Sequence, residues 1–205
     1  MALMIKVEKP IRLFVWSVLL LLLLSGCAGS VKNMSPMSEA EALSPIEEGK
    51  AKIVFMRPSS LGFAIQSSVF EIKGDKPALV GIVAAKKKVA YQLDPGEHLF
   101  MVVGESADFM SAELEANKTY YALVTPRMGM WKARFSLRPV HASELNTTDF
   151  NDWFEECEWV TKNADSETWF RDNLDSIQSK QKEYYPEWME KALADRPKLS
   201  PQDGK

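Results

Sequence analysis

The chain reads as a mainly β protein, an antiparallel β-sandwich of about seven or eight strands with a helical extension at its carboxy terminus. Three observations predict it. From Ala51 to about residue 142 short runs of period-two hydrophobicity are punctuated by turn residues. No helix-length apolar stripe interrupts that series, which argues against a doubly wound parallel fold. Beyond residue 143 the composition shifts, with nine aromatic residues between 150 and 188.

The amino terminus comes first in the chain and is of a different nature. Leu13 to Leu24 is apolar but for Ser17, closed by Arg12 on one side and Ser25-Gly26 on the other. It falls short of the about 20 apolar residues needed to cross a hydrocarbon core. Lys6, Lys9 and Arg12 precede it against a single Glu8, the positive start of a secretory signal. Residues 1–26 are therefore expected to be a signal peptide. Its last residues, Leu24-Ser25-Gly26, with Cys27, resemble the lipobox of bacterial lipoproteins. In that class the cysteine thiol receives a diacylglycerol, the chain is cut before it, and the new amino terminus is acylated, commonly by palmitate. The resemblance makes Cys27 a lipid anchor, and Ala28 after it implies the outer membrane, facing the periplasm. Two or three acyl chains hold a protein stably where one does so only marginally.

Cleavage leaves about 180 residues, one domain of ordinary size. The leader removes three cations and one carboxylate, so the formal charge of −3 becomes more negative. That excludes a general nucleic-acid binder. With Cys27 in a thioether, Cys157 has no partner in the chain, and no internal disulfide is expected. Residues 27–50, rich in Ser, Ala, Glu and Pro, read as a lipidated flexible tether.

The strands follow in order at Lys52–Met56, Ile65–Ile72, Ala78–Val83, a hairpin over "VAYQLDPGEHLFMVV", Ala107–Leu114, Thr119–Thr125 and Trp131–Arg138. In the hairpin Pro95 presets the first corner and Gly96 accepts the second. Its second arm, apolar on both faces from Leu99 to Val103, suits a central strand. In the last strand Trp131, Ala133, Phe135 and Leu137 share one face and polar residues take the other. The spacing of the strands is that of an antiparallel sandwich or barrel, and a sandwich of the immunoglobulin- or transthyretin-like kind over residues 51–142 is favoured.

Residues 143–196 should be helical. One helix is expected from Thr148 to about Thr161, and a second from Ser166 until Pro186 breaks or kinks it. A short third helix, Glu187 to Asp195, would come before a disordered tail at 197–205.

"AKIVFMRPSS", a strand centred on Ser-Ser-Val-Phe, "LDPGEH" and "NKTYYAL" carry a resemblance over about residues 50–140. They are similar to a bacterial domain-of-unknown-function family, number 2846, of small exported and often lipidated β domains. The resemblance implies a fold and a location and no activity, and the aromatic extension departs from the family's pattern.

The residues define no reaction. His98 and His141 have no Cys or Asp cluster at ligand spacing, so no metal or cofactor is expected. Gly104-Glu105-Ser106-Ala107 lacks a nucleophile elbow's second glycine. Asp149, Asp152, Glu155 and Glu156 read as a solvated helix face. Lys86, Lys87 and Lys88, with outward Lys132, Arg134 and Arg138, could form a basic surface resting on anionic headgroups, or else protect an edge strand. The aromatic extension could bind an envelope protein or glycan or could cover the core. The expectation is a non-enzymatic accessory or binding module of the cell envelope, with a structural subunit of an envelope complex as the alternative and a hydrolase behind it.

Overall fold

A computed structural model describes residues 31–127 and 134–205. The expected signal peptide, Cys27, Trp131 and Lys132 lie outside the described residues. Residues 31–205 form one compact unit.

Strand β2 (Ala51–Arg57) shows how the layers arise, because it is buried along its whole length. Alternation sends Ile53 and Phe55 to one face and Val54 and Met56 to the other, where they join separate apolar clusters. A strand apolar on both sides must lie inside a sheet covered on both sides. β2 does so in a six-stranded sheet of order β1-β10-β5-β2-β8-β9. Its members are β1 (Met34–Pro36), β5 (Lys87–Leu93), β8 (Thr119–Arg127), β9 (Arg134–Pro139) and β10 (Glu158–Lys162). The second sheet has the order β11-β7-β6-β3-β4. It is built from β3 (Ser68–Lys73), β4 (Lys76–Ile82), β6 (Gly96–Val103), β7 (Ala107–Leu114) and the two-residue β11 (Lys198–Leu199).

The sheets share one core, with Ile53, Phe55 and Tyr120 of the first against Val69, Phe100 and Val102 of the second. Phe55 and Phe100 meet edge to face at 5.1 Å. The expected hairpin does not form: β5 and β6 belong to different sheets, so the Pro95-Gly96 turn, in which Gly96 has φ 126°, is a corner that carries the chain from one sheet to the other, while β6 does lie inside its sheet between β7 and β3.

Each outer face is covered as well. On the six-stranded sheet Val54, Met56 and Tyr121 pack against Phe150 of α2 (Thr148–Glu155) and against Ala42 of the short α1 (Glu39–Ala42). On the five-stranded sheet Phe70, Met101 and Phe109 pack against Ile177 and Trp188 of α3 (Ala164–Glu190). The protein is mainly β with a long carboxy-terminal helix. Eight of its strands fall between residues 51 and 139 and three lie outside that range.

Several expectations need correction. The sheets are mixed rather than antiparallel throughout: β2 runs parallel to β8, β10 to β5 and β11 to β7. The tether does not extend to residue 50. Val31, Met34 and Ala42 are buried, and β1 pairs with β10. The helix expected from Thr148 to Thr161 stops at Glu155, and the chain returns as β10, whose Trp159 and Val160 are buried. Aromatic and β-branched residues fit the open edge of β5 better than a helix.

Pro186 does not end α3, which continues to Glu190 with Trp188 buried beneath it. Packing of that indole outweighs the lost backbone bond. The tail is folded. Leu199 is in the core, Thr119 and Lys205 exchange backbone hydrogen bonds of 2.8 and 3.1 Å, and a Cβ on Gly204 would lie 2.6 Å from the Tyr120 ring.

Candidate functional site

The basic residues singled out in the sequence do not form one open surface. Register places Arg138, Leu123, Met56, Lys88 and Trp159 in a single row across the six-stranded sheet. They therefore share a face, the one that α2 covers. Lys88 is 4% exposed. Its ammonium stands 3.8 Å from the centroid of Phe154 and 4.6 Å from that of Trp159, and it donates to the Phe154 carbonyl.

Lys87 is also buried and pairs with Glu158, while Lys86 pairs with Glu156 at 2.6 Å. Arg138 pairs with Glu144 and lies 5.2 Å from the Trp153 ring. An outward-facing basic patch is thus corrected at Lys87 and Lys88, whose apolar stems are buried and whose charges meet ring faces, a carbonyl and a carboxylate. Lys132 lies outside the described residues. Arg134 is exposed, and its side chain makes no hydrogen bond or ion pair among them.

Both histidines are held in structural networks. His98 Nδ1 lies 2.8 Å from the Glu71 carboxylate and Nε2 lies 2.9 Å from the Asp94 carbonyl. Both neighbours are acceptors, so the ring is held at each of its nitrogens. Burial opposes ionisation of Glu71, but hydrogen bonds from His98, Tyr91 and Lys73 outweigh it and hold the carboxyl at about 2. Burial and the bond to Glu71 raise the Tyr91 phenol.

His141 Nδ1 lies 3.1 Å from Asp203. The Ser200 hydroxyl donates to the same carboxylate at 2.8 Å, so it is turned to Asp203 and not to the imidazole. Burial raises the Cys157 thiol to about 11 despite nearby Lys88, which leaves it a poor nucleophile at neutral pH. Among the described residues no three His, Cys, Asp or Glu side chains come together in a way that could hold a metal ion.

The remaining chemistry gathers where the last turns of α3 meet one end of the sheets. A cavity of about 340 Å³ opens there between α3, the start of β7 and the facing ends of β8 and β9. Its floor is Asp108, 5% exposed. One carboxylate oxygen takes Arg127 and the other takes Lys191, each at 3.1 Å. Arg134 lies on the wall, directly opposite Arg127 in the β8–β9 register.

Tyr184 and Trp188 line the helix side together with Glu183 and Glu187. The Trp188 indole N–H is buried and has no partner among the described residues. Trp159 on the other face also has an unpartnered N–H, but Lys88 is packed on its ring. A pocket with a few convergent polar groups in an aromatic wall is the usual form of a small-molecule site.

Sequence reasoning had marked Arg134 and missed Arg127, Asp108 and Lys191. They come from separate elements, and the one local signal is the hairpin that sets Arg127 against Arg134. Compared with known proteins, the chain matches no family model and no curated protein.

Proposed function

We propose that the protein is a lipid-anchored lipoprotein of the bacterial outer membrane, facing the periplasm, and serves there as an accessory or binding module of the envelope. The carrying observation is the order of features in the chain. A basic start and an apolar run too short to span lead into Leu24-Ser25-Gly26-Cys27, and only three residues separate that cysteine from buried Val31. Four residue steps reach at most about 14 Å, so acyl chains on Cys27 would keep the folded body close to the lipid. No helix among the described residues is long and apolar enough to cross a membrane.

A binder fits the geometry better than a hydrolase. The His98 ring has an acceptor at each nitrogen, and the serine beside His141 is bonded to Asp203. We read β2–β9 as a transthyretin-like sandwich. The first, fourth, seventh and eighth of these strands share one sheet and the other four share the second, a division unlike the immunoglobulin one. The likeness to family 2846 rests on Arg57-Pro58 at the end of β2, Pro95-Gly96 between β5 and β6, and Tyr120-Tyr121 at the start of β8.

Mass spectrometry of the protein purified from membranes tests the anchor. The expected mass lacks residues 1–26 and carries acyl groups on Cys27, and Cys27→Ser should move the protein to the soluble fraction. An intact leader or a bare thiol overturns the reading.

A further inference from the structure

We propose that the cavity at the end of α3 binds an acidic sugar, with Arg134 and Arg127 holding its carboxylate. This inference is independent of the lipid anchor. It starts from a local excess of donors. Two arginines directly opposite each other on an antiparallel pair have Cβ atoms about 5 Å apart, and like charges so placed repel. Asp108 cannot neutralise both, because its two oxygens are already taken by Arg127 and Lys191. Arg134 is left with all its donors and Arg127 with most of them. A planar guanidinium matches an oxyanion in a two-point bond, and a carboxylate between the two arginines would turn their repulsion into attraction.

The rest of the cavity selects among oxyanions. Glu183 and Glu187 stand on the opposite wall. They repel a doubly charged phosphate, yet they accept hydrogen bonds from hydroxyl groups. The Trp188 and Tyr184 side chains line the helix side, and their rings offer an apolar face. Carboxylate at one end, hydroxyls at the other and a ring between them describe a sugar acid. About 340 Å³ is at the small end of ligand pockets, as one such ring requires.

Calorimetric titration of the purified protein at low ionic strength, with glucuronate, glucose and inorganic phosphate as probes, tests the assignment. Glucuronate is expected to bind, glucose at least tenfold more weakly, and phosphate more weakly than glucuronate. Arg134→Ala should reduce glucuronate affinity at least tenfold while leaving the ligand-free melting temperature unchanged, since that side chain makes no hydrogen bond or ion pair among the described residues. Arg134→Lys should retain part of the affinity. Absence of glucuronate binding at millimolar concentration overturns the proposal. So does glucose binding as tightly as glucuronate, phosphate binding as tightly, or affinity indifferent to Arg134→Ala.

Discussion

On the outer face of the six-stranded sheet three cations lie over rings: Lys88 over Phe154 and Trp159, Arg138 over Trp153, and Lys205 over Tyr121 and Phe150. On the outer face of the five-stranded sheet Phe109 packs with Tyr185 and Trp188, and Arg196 lies over Trp188, but at the neighbouring end of the sheets Arg127 of β8 and Lys191 turn to the buried Asp108 carboxylate instead. Both faces are roofed by an aromatic helix. Rings accept cations without adding opposing charge, so the first face closes on itself. Where charge meets charge the sum has to come out, and at the sheet ends beneath α3 it leaves Arg134 over.

Four changes would break or sharpen that contrast. Phe150→Ala removes the buried ring at the centre of the first roof and should lower unfolding free energy by about 3–5 kcal/mol, measured by chemical denaturation. Asp108→Asn should cost less, about 2 kcal/mol, because its cationic partners are half exposed and keep some hydration. It should also tighten glucuronate binding by leaving the cations unopposed, and weaker binding would mean that Asp108 positions the arginines rather than competes for them.

Between the faces, Glu71 supplies a pH-dependent component. Its folded value of about 2 lies below the ordinary 4.5, so its stabilisation is complete above about pH 4.5 and is lost as pH falls toward 2. Glu71→Gln should flatten the loss of stability across that interval in acid denaturation. The smallest effect is expected from Lys205→Ala, about 0.5–1 kcal/mol for an exposed cation over rings, read as a shift in melting temperature.

The central strands were legible because alternation and turn residues are local signals. Ala107–Leu114 was bounded correctly, and the Pro95-Gly96 corner fell where expected. β1, β10 and β11 were not legible, being two to five residues long and existing only through pairing with strands distant in the chain. The tail did carry a signal: Ser200-Pro201-Gln202-Asp203 has a capping serine, a first-turn proline and an acceptor three residues on, and Asp203 closes the bond back to Ser200. Of the candidate site the aromatic wall fell within the extension marked for binding, but of its charges Arg134 alone was marked, since spacing along a chain does not reveal which charge lies across from it.

The parallel union of β2 and β8 at the heart of one sheet, which sets Lys52 beside Thr119, has a consequence for how the chain matures. Every strand from β3 to β7 lies between the two partners in the chain and must be made before that seam closes, and such distant pairings form slowly. Until then the greasy edges of β2 stand open to neighbouring chains, so the nascent polypeptide should depend on an escort for longer than its modest size suggests. Refolding yield that falls steeply with protein concentration would be the signature.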